Sequence, residues 1–111
     1  MSDLASQHCR ACSGAEPALG PEEIGRLRPQ LGEGWRVVDD HHLERTYKFP
    51  NFRKALDFVV CAGEMSEAEG HHPDLALSWG KVEAVVWTHK VGGLTENDFI
   101  WAAKADRCAS A

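Results

Sequence analysis

Apolar residues recur along this chain at two spacings, one helical and one extended, and the switches between them mark out its elements. Leu19-Gly20-Pro21-Glu22-Glu23 opens the first. Proline and carboxylates suit a helix's first turn, where the amides lack partners and the dipole end is positive. Ile24, Leu27 and Leu31 supply the apolar stripe. Pro29 falls inside this pattern and either kinks or ends the helix, having no N–H to give, while Gly32 and Gly34 stop it in any case. Trp35 to Val38 and Leu43 to Phe49 then read as strands, with Asp39-Asp40-His41-His42 as the polar turn of a hairpin.

Asn51 is placed to cap a longer helix in which Phe52, Ala55, Leu56, Val59, Val60, Gly63 and Met65 keep helical spacing. It turns polar at Ser66-Glu67-Ala68-Glu69 and ends by Gly70, ahead of Pro73. A second strand pair, Asp74 to Trp79 and Lys81 to His89, is joined tightly at Gly80. Val82, Ala84, Val86 and Thr88 would share one face, and Val85 and Trp87 the other. After Gly92-Gly93, Thr95 is the expected cap of a last helix, with Asp98 in the third position where a carboxylate completes a capping box. The order α-β-β-α-β-β-α predicts an α+β fold in two layers, with helices packed on an antiparallel sheet.

Residues 1–18, rich in Ala, Ser and Gly, are expected as a mobile N-terminal arm, and residues 19–111 as a single domain. So small a core favours oligomerisation. With a formal net charge of −5 and no stripe of Lys and Arg, the chain is a poor candidate for binding nucleic acid. No apolar run approaches the ~18 residues that span a bilayer, and Met1-Ser2-Asp3-Leu4 lacks the layout of a secretory signal, so the cytoplasm is the expected location. In that setting Cys61, within an apolar helical stretch, is expected as a buried free thiol.

Chemistry concentrates in Glu67-Ala68-Glu69-Gly70-His71-His72-Pro73-Asp74, where a helix ends and a strand begins. If the second hairpin turns at Gly80, His71 and His89 lie nine residues to either side of it and come close, provided both strands run straight to their ends. Imidazoles titrate near ~6.5, so such a cluster suits proton transfer close to neutral pH. One can donate while another accepts. Glu67, about one helical turn before His71, can orient an imidazole or hold its proton. Adjacent histidines in a strand face opposite sides, and no cysteine lies nearby in sequence, which argues against zinc. His8-Cys9-Arg10-Ala11-Cys12 has the Cys-x-x-Cys spacing of a zinc or redox site, but no second pair and no preceding strand.

The pattern Glu67-x-x-x-His71-His72-Pro73, then Trp79, Thr88-His89, Gly93-Leu94-Thr95 and Asp98, resembles the pterin-4a-carbinolamine dehydratase family. The likeness extends through Gly34-Trp35, Phe49-Pro50-Asn51-Phe52 and Asp98-Phe99-Ile100, and the Cys-x-x-Cys arm resembles N-terminal extensions of some bacterial members. The resemblance implies a four-stranded antiparallel sheet with helices on one face, a homodimer or homotetramer, and no metal or cofactor. It also implies a reaction: removal of water from a 4a-hydroxytetrahydropterin, which recycles the cofactor of aromatic amino-acid hydroxylases. His71 and His89 are the expected acid/base pair and His72 the substrate-placing histidine. Trp35 is the candidate aromatic wall, with Glu67, Asp98, Pro73 and Trp79 in supporting places. The same resemblance admits a non-enzymatic role, as a factor in Rubisco assembly in carbon-fixing bacteria or as a dimerisation cofactor.

Overall fold

The computed structural model describes residues 4–11 and 14–110; Cys12, one half of the Cys-x-x-Cys pair, lies outside them. The elements follow the expected order: α1 (Pro21–Leu27), β1 (Arg36–Val38), β2 (His42–Lys48), α2 (Phe52–Glu69), β3 (Asp74–Ser78), β4 (Lys81–Val86) and α3 (Glu96–Ser110). The strands form one antiparallel sheet in the order β1-β2-β4-β3, so the two hairpins join through the central pair β2–β4. Leu43, Tyr47, Val82, Ala84 and Val86 are buried on one face, whereas Thr46, Lys48 and Glu83 are exposed on the other. That alternation shows which face the helices cover, and the fold is α+β as expected. Trp35, Leu43, Leu94, Phe99, Ile100 and Trp101 fill the layer between.

Local chemistry accounts for the element ends. Pro29 ends the α-helical part of the first element, and the chain continues as a single 3-10 turn over Arg28–Gln30. The turn after β1 holds Asp39 and Asp40 at φ 54° and 52°, a left-handed conformation that short polar side chains tolerate best after glycine. Asn51 caps α2 by accepting from the Lys54 amide at 2.9 Å. In the second hairpin Ser78 pairs with Lys81, so the axis falls between Trp79 and Gly80 rather than on Gly80. A Cβ at Gly80 would stand 2.9 Å from the Phe49 carbonyl oxygen, which explains the glycine.

Two expectations change. The N-terminal arm packs at its start, where Leu4–Ser6 lie against α3: Leu4 and Ala5 are buried, and Lys104 Nζ donates to the Ala5 carbonyl at 3.0 Å. Two apolar side chains with a helix to pack on outweigh the polar composition that pointed to mobility. Cys61, expected as a free thiol, is joined to Cys108 by a disulfide that ties α2 to α3. The two cysteines are 47 residues apart and meet only through helix packing, which sequence spacing does not report.

A cross-link over 47 residues restricts the unfolded chain. Its reduction is therefore expected to lower the unfolding free energy by about 2–4 kcal/mol. Urea unfolding with and without dithiothreitol measures this; superposed curves would show that the bridge carries no stability.

Candidate active site

Helix α2 ends at Gly70, whose φ of 66° is the left-handed conformation that glycine adopts without strain. The reversal returns the His71 amide to the Ser66 carbonyl at 3.2 Å. Ser66 is itself buried, donating to the Ala62 carbonyl and accepting from Trp101 Nε1 at 2.8 Å. The start of the His71-His72-Pro73 link is therefore anchored in the core.

His71 is 11% exposed, and its Nε2 donates to Asp98 Oδ1 at 2.6 Å. Asp98 has no solvent exposure. Its Oδ2 accepts from Thr88 Oγ1 and from the Thr95 amide, each at 2.9 Å. The Thr88 and Thr95 hydroxyls are 2.8 Å apart. Asp98 thus closes one half of the capping box of α3 and orients an imidazole with the same carboxylate. With Nε2 donating to the carboxylate, the neutral His71 ring has its unprotonated nitrogen at Nδ1.

The other two histidines are held differently. His72 donates through Nε2 to Glu67; both are exposed, at 58% and 79% of their side chains, and such a pair adds little stability. His89 is exposed and stacks on Trp87, with ring centroids 4.1 Å apart and planes 22° apart. Trp87 is backed in turn by His41 and His42, at 5.3 and 6.0 Å. Those two rings meet through their Nδ1 atoms at 3.0 Å, and His42 Nε2 donates to Glu44 at 2.8 Å. The residues expected only as a polar turn therefore support the indole beneath His89.

His71, His72, Pro73 and His89 line one cavity of about 420 Å³. Trp87, Asn97, Lys90, Arg10 and Ala11 line it as well, and none of them is among the expected site residues. For Trp87 a signal existed, because it lies two residues before His89 and so on the same strand face. For Arg10 and Ala11 the only signal was the Cys-x-x-Cys spacing around them, which pointed to a metal or redox site and not to this cavity. Two expected contributors are elsewhere. Trp35 is fully buried, packs edge-on against Tyr47 and Trp101, and donates to Asp106 at 3.0 Å. Trp79 is 69% exposed in the β3–β4 turn. Neither is a wall of this cavity.

A larger cleft of about 1090 Å³ lies beside Arg45, Tyr47 and Asp106. There Asp106 accepts from Trp35 Nε1, Arg45 Nη1 and the Tyr47 hydroxyl. Burial, then the bond to Asp106, pushes Tyr47 well above the usual phenol range, so its proton is held. That cluster fastens α3 to the sheet, whereas the smaller cavity gathers the histidines.

Residues 17–108 match the family described as pterin 4 alpha carbinolamine dehydratase. The chain is similar to a protein of Rubrobacter xylanophilus named "Putative pterin-4-alpha-carbinolamine dehydratase", 54% identical over 107 residues, covering 96% of this chain and 99% of the relative. Among solved structures it is similar to a transcriptional coactivator/pterin dehydratase from Brucella melitensis, with a TM-score of 0.78 and 30% identity over 83% of this chain and 98% of that one. It also shares its fold with a pterin dehydratase-like protein identified as a RuBisCO assembly factor in the alpha-carboxysome, with a TM-score of 0.61 and 20% identity over 71% and 93% of the two chains.

The ring current of a stacked indole shifts protons held above its face. Trp87→Leu is therefore expected to move the His89 imidazole carbon-bound proton resonances downfield and to leave those of His71 in place. Two-dimensional NMR of the histidine side chains reads both; an unmoved His89 would mean that the stack does not persist in solution.

Proposed function

Because the chain belongs to the pterin 4 alpha carbinolamine dehydratase family, we propose that it removes water from a 4a-hydroxytetrahydropterin. The observation that carries this reading is the buried Asp98 carboxylate behind His71, in a cavity that His89 also lines. The reaction needs two proton movements. The bond from C4a to the hydroxyl breaks, and that oxygen takes a proton to leave as water. N5 loses its proton, and the electron pair forms the C4a–N5 double bond of the quinonoid dihydropterin.

His71 is suited to accept the N5 proton. Its Nδ1 is the basic nitrogen, and the imidazolium that results sits against Asp98, as a catalytic histidine does beside its orienting carboxylate. His89, exposed on its indole, is suited to protonate the leaving hydroxyl and to exchange with solvent afterwards. His72 and Glu67 at the rim place the substrate. In a cell this step returns a pterin cofactor to aromatic amino-acid hydroxylases. The expectation of a homodimer or homotetramer is supported by Phe52 and Val60 on α2, which are 43% and 52% exposed. An assembly-factor role, including one toward Rubisco, comes second, because a scaffold has no need of a buried carboxylate held to a cavity-lining imidazole.

A stopped-flow assay with freshly generated 4a-hydroxytetrahydropterin is the test. The protein is expected to accelerate loss of that species, and His89→Ala to slow turnover by about 10²-fold or more while the circular dichroism spectrum stays unchanged. No acceleration by the unmodified protein defeats the dehydratase reading; an unchanged rate in His89→Ala removes that residue from the mechanism.

A further inference from the structure

Glu69 and Asn97 each stand beside a residue of the site, and the reaction proposed above uses neither. Glu69 is the last residue of α2, two before His71, and its side chain is 8% exposed. Its Oε1 accepts the Cys9 amide at 2.8 Å, and its Oε2 accepts from His8 Nδ1 at 2.9 Å, with Lys104 Nζ 3.4 Å away. Burial alone would raise this carboxyl's pKa, but the Cys9 amide, His8 and Lys104 together outweigh it, and the group titrates below its usual range. It is therefore an anion at neutral pH. Asn97 precedes Asp98 and is 7% exposed. Its Oδ1 accepts the Arg10 amide at 2.9 Å, and its Nδ2 donates to the Arg10 carbonyl at 2.6 Å. One side-chain amide thus satisfies both backbone groups of Arg10, as a neighbouring strand would.

These bonds join residues 60 to 87 positions apart and fix the backbone of Cys9 and Arg10 from two elements at once. A segment merely resting on the surface would be held by exposed, interchangeable side chains. Here both anchors are nearly buried and both address the backbone. The result is that Arg10 and Ala11 form part of the lining of the histidine cavity.

We propose that Arg10 and Ala11 are a built wall of the substrate cavity, that Asn97, directly, and Glu69, through Cys9 and His8, are the positioning residues holding it, and that the wall favours compact pterins. This rests on the reading of the cavity as a pterin site. With the wall in place the cavity measures about 420 Å³, toward the small end of ligand pockets. It admits a bicyclic ring with a short substituent. Among the described residues no hydrogen bond or ion pair joins Arg10 or Ala11 to His71, Asp98 or His89, so loss of the wall acts on binding before it acts on chemistry.

The test uses the full chain, with the unreactive 7,8-dihydrobiopterin as binding probe and the stopped-flow assay for turnover. Asn97→Ala is expected to raise KM and the dihydropterin Kd about fivefold or more with kcat changed less than about twofold, the pattern of lost binding without lost transition-state contact. Asn97→Asp, which keeps the acceptor for the Arg10 amide, is expected to recover part of that loss. Amide exchange at Cys9 and Arg10 should accelerate in Asn97→Ala. Ala11→Trp, at an exposed position that the fold does not need, should also raise Kd by filling the cavity. Unchanged Kd and KM in Asn97→Ala and Ala11→Trp overturn the wall, even if turnover by the unmodified protein is normal. An unmodified protein that binds no dihydropterin overturns the pterin reading and the wall's ligand together.

Discussion

A carboxylate without solvent contact must find its hydrogen-bond donors within the fold, and Asp98 finds three: the His71 imidazole, the Thr88 hydroxyl and the Thr95 amide. Each comes from a different part of the chain. His71 follows the glycine that ends α2, Thr88 follows β4, and Thr95 precedes α3. One buried group therefore fixes the relative positions of three segments that meet at the cavity. Removing any donor would leave the carboxylate underpartnered, so the geometry of the site and the stability of this corner of the fold are the same problem.

The opposite end of α3 repeats the device with a different outcome. Asp106 draws in Trp35, Arg45 and Tyr47 and holds the helix to β2 and to the residue just before β1. Among the described residues no histidine reaches it, and its donors pack on one another, Arg45 over the Tyr47 ring and Trp35 edge-on to it. The last helix is thus pinned near both ends by a carboxylate, once with an imidazole among its partners and once without. Only the first of the two corners faces the histidine-lined cavity.

Much of this was legible in the sequence, because it depended on local rules. Asn51, Gly70 and Thr95 marked helix ends through capping chemistry, and the alternation through Val82, Ala84, Val86 and Thr88 gave the buried face. The proximity of His71 and His89 was read from symmetry about Gly80. The actual axis lies half a residue earlier, and β4 ends at Val86. Extending the observed register brings Thr88, not His89, level with His71, and both of those reach Asp98. Trp35 was misplaced because periodicity does not tell a tryptophan whose N–H is satisfied in the core from one that lines a cavity. The packing of the N-terminal segment was hidden for a further reason. Its anchors, Glu69 and Asn97, are ordinary helix residues until the fold brings Cys9 and Arg10 to them.

Through its bond to Nε2, Asp98 sets the tautomer of His71 and leaves Nδ1 the unprotonated nitrogen of the neutral ring. Long-range proton–nitrogen correlation NMR of the uniformly nitrogen-15-labelled protein reads this directly at a pH where the ring is neutral. The expected result is a protonated Nε2 and an unprotonated Nδ1 at His71, with exchange of the Nε2 proton slowed by its buried bond. A His71 that carries its proton on Nδ1, or that averages freely between the two tautomers, would mean that Asp98 does not set the state of the ring.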